Sequence, residues 1–211
     1  MTKLLILGAG GQIAKQVIGL LVNDPGIRLT LYLRHARKLG DVATGKAIIV
    51  EADVTDHNKL KEAMQGQDIV YANLDGPVDK LAQNILRAMQ ETAVRRLIFI
   101  SSLGIYDEVP GAFGKWNKRM IGQYLGPHRK AAGLIEASDL NYNILRPAWL
   151  TDYDEVDYEI TQKGEAFKGT EVSRKSVASL VVKLVKTPES ELRKSLGVNK
   201  PHTEGDKPAF Y

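Results

Sequence analysis

Six short apolar runs recur along the chain, at residues 3–7, 28–33, 46–50, 68–72, 96–100 and 141–145. Each is nearly continuous in apolar residues rather than alternating with polar ones, the pattern of strands buried on both faces of a parallel sheet. The stretches between them have helical spacing: Ile13, Val17, Leu20 and Leu21 fall on one face, as do Val78, Leu81, Ile85 and Met89. Strand alternating with helix predicts an α/β fold with a doubly wound parallel sheet, because right-handed crossovers place helices on both faces. At 211 residues, 44% of them apolar, the chain can bury a core without staples and reads as a single domain over residues 1–211. No repeat or low-complexity segment interrupts it.

Composition narrows the chemistry. Cysteine is absent, which removes thiolate nucleophiles, Cys-ligated zinc and iron–sulfur clusters. His35, His57, His128 and His202 are too scattered to form a metal motif, so no metal is expected. No apolar run approaches the roughly 20 residues that span a bilayer, and Leu4-Leu5-Ile6-Leu7 is too short for a signal-peptide core. These features predict a cytoplasmic protein without a membrane partner. The formal charge of +4 comes from basic residues spread along the whole chain, and aromatics make up only 7%. A stacking platform with an electrostatic stripe would be denser, so nucleic acid is not the expected ligand.

Beyond Pro147 the character changes. Asp152, Asp154, Glu155, Asp157 and Glu159 form an acidic stretch, and Gly164 and Gly169 punctuate an expected hairpin or loop. Acidic runs of this kind are usually solvated. Ser173 is the expected N-cap of a last helix that turns Val177, Leu180, Val181, Leu184 and Val185 inward and ends before Pro188. Its Arg174, Lys175, Lys183 and Lys186 read as a solvated outer face. The tail, with Pro201, Gly205 and Pro208, is expected to be irregular, docked by Phe210 and Tyr211 or mobile.

Gly8-Ala9-Gly10-Gly11-Gln12-Ile13-Ala14 directly follows the first strand and opens the first helix, the context a dinucleotide-binding turn requires. Glycine permits the sharp turn, its missing side chain lets the backbone approach a pyrophosphate, and Ala14 allows close helix–strand packing. The free amides and helix dipole then face the phosphates, which makes Gly8, Gly10, Gly11, Gln12 and Ile13 candidate cofactor contacts. At the end of the second strand stand Arg34 and Arg37, with no acidic residue between Ile27 and Gly40. An NAD site usually has Asp or Glu there for the ribose 2′-hydroxyl, whereas an arginine suits a 2′-phosphate, so NADP(H) is expected over NAD(H). The bland alternative makes both arginines surface charges.

Gly8-x-x-Gly11-x-x-Ala14, Asp53-Val54-Thr55-Asp56, Asn73, Ser101-Ser102 and Leu145-Arg146-Pro147-Ala148-Trp149-Leu150 occur in order after successive strands. Together they resemble the atypical short-chain dehydrogenases of the NmrA-like, NAD(P)H-binding group, over about residues 1–150. The resemblance implies a Rossmann fold in which Asp53 and Val54 border the adenine and Asn73 lines the ribose. It also implies that Ser101 and Ser102 lie near the nicotinamide. Without it, Asp53 is a strand-end loop residue and Asn73 is turn chemistry.

Active short-chain dehydrogenases combine a serine, a tyrosine and a lysine four residues after the tyrosine. This chain offers Ser102 and Tyr124, but His128 stands in the lysine's place, and Lys130 lies on another helical face. A neutral imidazole lowers a phenol's pKa far less than a permanent cation does. Pro127 predicts that the long helix begins near Gly126, with Tyr124 in a loop. Residues 111–122, with Phe113, Lys115, Trp116, Lys118 and Arg119, read as an exposed connection anchored by one tryptophan, or else as a flap over the cofactor or a basic rim for an anionic substrate. Tyr106, four residues beyond Ser102, reads as structural. Ser102, Tyr124 and His128 are the candidate catalytic residues, and residues 147–211 the candidate substrate side, with Leu150 to Tyr158 as its wall. The expected partner is a small molecule: a carbonyl, quinone or flavin-like acceptor reduced by NADP(H). The alternatives are a catalytically silent nucleotide-sensing module and a cofactor-stabilised assembly subunit. A homodimer is compatible with the sequence without being specified by it.

Overall fold

The computed structural model describes residues 1–43 and 45–211. Strands β1 (Thr2–Leu7), β2 (Ile27–Leu33), β3 (Ile48–Glu51), β4 (Ile69–Ala72), β5 (Arg96–Ile100), β6 (Asn141–Pro147), β8 (Glu159–Thr161) and β10 (Lys194–Asn199) form one sheet in the order β3-β2-β1-β4-β5-β6-β10-β8. Every pairing in it is parallel except β10 with β8. Strands β7 (Trp149–Thr151) and β9 (Glu171–Ser173) make a separate parallel pair. Helices α1 (Gln12–Leu21), α2 (His57–Met64), α3 (Val78–Thr92), α4 (Gly111–Glu136) and α5 (Arg174–Lys186) cover the large sheet.

The strand repeat of two divides each apolar run between two cores. Leu4 and Ile6 of β1 join α1 and α5 in one cluster, while Leu5 and Leu7 join α2, α3 and α4 in the other. Because both faces are covered, the interior strands need no polar face. The outermost strand does not follow this rule. On β3, Ile48 and Ile49 are nearly half exposed, so the expectation of burial on both faces fails at the sheet edge.

The predicted face of α3 is buried as spaced, and on α1 Ile13, Val17 and Leu21 are buried while Leu20 turns outward, Ile18 taking its place in the core. Ser173 caps α5 by accepting from the Ser176 amide. Gly164 and Gly169 bound no hairpin: β8 pairs with β10, whereas β9 pairs with β7. The acidic stretch meets cations. Asp152 pairs with Arg174, Asp154 with Lys175, and Glu155 with Lys200.

The expected start of a helix near Gly126 is also corrected, because α4 runs unbroken from Gly111 with Pro127 inside it. Proline removes one helical hydrogen bond and crowds the preceding turn. Here both halves are anchored elsewhere: Phe113 and Asn117 are buried before the proline, and Ala131, Ala132 and Ile135 after it. Residues 111–122 are therefore the first half of a long helix rather than a loose flap. The tail docks through Tyr211, whose ring meets Trp116 at 5.0 Å and Trp149 at 5.1 Å.

Candidate functional site

The glycine turn sits where β1 ends. Gly8 has φ +77°, and its amide donates to the Tyr32 carbonyl at 2.9 Å, tying the turn to β2. A Cβ at Gly8 would lie 2.1 Å from the Asn73 carbonyl oxygen, and one at Gly11 would lie 2.2 Å from the Asn73 carboxamide nitrogen. Asn73 is itself fixed by its amide, which donates to Leu7 O at 2.9 Å. The turn and the end of β4 thus approach more closely than side chains would permit. Gly11 precedes α1 without a capping side chain, and the first turn carries no acidic residue. The helix's backbone ladder begins with Lys15 donating to Gly11 O, so the amides of Gln12, Ile13 and Ala14 have no intrahelical acceptor. Such an end favours an anion. The Ile13 side chain is packed in the core, so Ile13 offers only its amide, whereas Gln12 offers its amide beside an exposed side chain.

A cleft of about 410 Å³ opens over this turn, lined by Gly8, Gly10 and Gly11, by the ends of β2 and β4, and by Asp53, Val54 and Thr55. Asp53 Oδ1 accepts from the Thr55 amide and hydroxyl, both at 2.8 Å. These bonds hold its carboxyl below the usual range, with a smaller pull from Arg34. Val54 is held from behind, since Asn84 on α3 donates to its carbonyl. Tyr32 donates to Asp53 O at 2.8 Å, and burial, with Asp56 and Asp53 adding, pushes its phenol up to about 12. It therefore stays protonated and serves as a support.

Arg34 lines the cleft, and its Nε lies 3.9 Å from Asp53 Oδ2. Arg37 does not: it is exposed on the 3₁₀ segment Ala36–Ala43, whose turn carries Lys38 to the cleft instead. His35 and Lys38 are thus the rim residues that sequence reasoning missed. The available signal was the clustering of four basic side chains after β2. A carboxylate is also nearby in space, but Glu51 of β3 is engaged in accepting from the Ala36 amide at 2.8 Å.

A smaller pocket of about 190 Å³ lies at the ends of β5 and β6, lined by Ser101 and Ser102 and otherwise by apolar side chains including Ile121, Trp149 and Leu150. Ser102 donates to its neighbour's carbonyl, Leu103 O, at 3.1 Å. Ser101 Oγ instead lies 3.3 Å from His128 Nδ1 on α4, a pairing the sequence did not expose. Burial lowers the His128 pKa, while the Asp75 carboxylate pulls it the other way. Tyr124, expected in a loop, is on α4 with 57% of its surface exposed. Tyr106 donates to Glu136 at 2.8 Å, beside the buried Arg146–Glu108 pair, in a structural position.

A parallel sheet with an anion-receptive glycine turn at its carboxyl edge defines a nucleotide-binding Rossmann protein. Comparison with known proteins agrees: residues 8–188 match the NAD(P)H-binding family, and the chain belongs to that family. A Rossmann-fold NAD(P)-binding family protein from Shigella flexneri is 48% identical, with 100% of each chain covered and a TM-score of 0.87. A wide-type short-chain dehydrogenase/reductase from Veillonella parvula, in complex with NADP, is 29% identical over 99% of each chain, with a TM-score of 0.92. An anaerobillin reductase from Escherichia coli O157:H7 shares the fold alone, at 21% identity and a TM-score of 0.79, with 97% of this chain and 100% of that one covered. No match is found among curated protein sequences.

Proposed function

We propose that the protein is an NADP(H)-dependent oxidoreductase acting on a small carbonyl, quinone or flavin-like compound in the cytoplasm. The observation that carries this reading is the open glycine turn with its unpaired helix amides, facing a rim of Arg34, His35 and Lys38. Gly8 and Gly11 hold the turn open without side chains, the amides of Gly10, Gln12 and Ile13 donate to the pyrophosphate, Asp53 and Val54 flank the adenine, and Asn73 lines the ribose. Arg34 and Lys38 select the 2′-phosphate; a charge-assisted bond of this type contributes about 1.5–3 kcal/mol. The NADP held by the Veillonella relative supports the same choice. When bound, NADPH supplies a hydride. The apolar pocket beside Ser101 and Ser102 receives the acceptor and excludes water from it.

Arg34→Ala and Lys38→Ala should each weaken NADPH about tenfold or more while leaving NADH nearly unchanged, measured by fluorescence titration. Equal losses for both nucleotides would refute the selection. The silent sensor remains the second reading, because position 128 lacks a lysine and Tyr124 is exposed. Turnover of NADPH with quinones, flavins or ketones separates the two.

A further inference from the structure

The acceptor pocket carries few polar side chains, and one of them is paired in an unusual way. Ser101 is 8% exposed at the end of β5 and also lines the pocket, so its hydroxyl borders both the protein interior and the space for substrate. Behind it, α4 brings in His128, one residue past Pro127, with Nδ1 at 3.3 Å from Ser101 Oγ. The charged group facing the ring from another element is Asp75, on the loop after β4. On its own helix, the adjacent Arg129 is turned away to Asp107 at 3.0 Å. Asp75 also lines the glycine cleft, so the imidazole feels a carboxylate of the proposed nucleotide site.

We propose that Ser101 and His128 form a proton relay for a secondary alcohol and its ketone, replacing the tyrosine–lysine pair that this chain lacks. The relay rests on the NADP(H)-dependent reading above and specifies its chemistry. Burial keeps the imidazole neutral near pH 7, so Nδ1 accepts from the Ser101 hydroxyl when the ring proton is on Nε2. In the oxidative direction the alcohol proton passes to Ser101 Oγ as the serine's own proton passes to His128 Nδ1. The O–H pair becomes the second bond of the carbonyl, and the carbinol hydrogen leaves with its electron pair to NADP⁺. The imidazolium then returns its proton to water. Reduction of a ketone runs the same steps backwards and needs the imidazolium first. The oxidation rate is therefore expected to fall as pH drops and the imidazole takes up a proton, while the reduction rate gains.

Two readouts test the relay. Nitrogen-15 spectra of the protein without nucleotide should show His128 as the Nε2–H tautomer at pH 7, and Ser101→Ala should shift its Nδ1 resonance. Steady-state rates are then followed with cyclohexanol and 1-phenylethanol with NADP⁺, and with the matching ketones and NADPH. The wild-type oxidation kcat should fall as pH drops through a value below that of an ordinary imidazole. His128→Gln should flatten that profile and lower kcat about a hundredfold or more. Ser101→Ala should do likewise with little change in KM for NADP⁺, and Ser101→Thr should restore much of the rate. A protonated Nδ1 at pH 7, an unaltered pH profile in His128→Gln, or no turnover of any of the four probes by protein that binds NADPH would each overturn the relay alone. Failure to bind NADPH would overturn the reading beneath it.

Discussion

Gly8 and Gly19 show how much the same atom can mean at two positions. At Gly8 the backbone is left-handed, and a Cβ would strike the Asn73 carbonyl at 2.1 Å. Gly8→Ala is expected to lower the melting temperature and to weaken NADPH at least tenfold, because the turn must move away from β4 to admit the methyl group. Gly19 is exposed within α1, and a Cβ there meets nothing within 4 Å. Gly19→Ala should therefore stabilise the protein by about 1 kcal/mol in urea unfolding, with nucleotide binding intact. The glycine turn was legible in the sequence because its geometry is local, set by strand, turn and helix in direct succession. The Ser101–His128 contact was not, since it joins residues 27 apart whose meeting depends on how α4 packs. The assignment of the rim to Arg37 rather than Lys38 has a related cause. A 3₁₀ segment after β2 decides which cation faces the cleft, and basic side chains alone do not reveal its phase.

Among the elements, α2 was silent in the sequence reading, being short and only partly apolar, with Leu60 and Met64 alone buried. Asp56 caps it by accepting from the Lys59 amide, and one residue of α3 fastens it. Glu91 receives Lys61 at 2.9 Å, His57 at 3.2 Å and Arg87 at 3.0 Å. These partners, Lys61 first, lower its pKa from 4.5 to about 2. A depressed carboxylate contributes stability above its unfolded value and loses it as pH falls through the folded one. Glu91→Gln should thus melt below the wild type at pH 7, and the gap should close as pH falls from about 4.5 toward 2. A gap of constant size across that range would show that the cluster does not act through charge. Helix α4 makes the complementary point. A proline usually ends a helix, and local rules placed the boundary there; buried side chains on both sides of Pro127 override it.

Across the whole molecule, the sheet was readable where strands are buried on both faces and obscure where polar residues complete it. Strand β10 has few apolar residues, Leu196 and Val198 among them, and its other buried positions are satisfied by distant partners. Ser195 accepts from Arg146 at 3.2 Å, and Asn199 donates to Glu159 at 2.9 Å. No local pattern encodes such pairings. Arg146 itself, fully buried on β6 and paired with Glu108, links the acceptor side to the loop after β5. Removing one member of a buried pair leaves an uncompensated charge, so Arg146→Ala should cost about 3–5 kcal/mol in denaturant unfolding. A loss under 1 kcal/mol would mean that water already reaches the pair. At the other side of the sheet, the turn after β1 has the proposed task of gripping a pyrophosphate. Calorimetric titration of the folded protein with NADPH and then NADH tests that most directly. The account predicts saturable one-to-one binding, tighter for NADPH, and absence of heat with both nucleotides would contradict it.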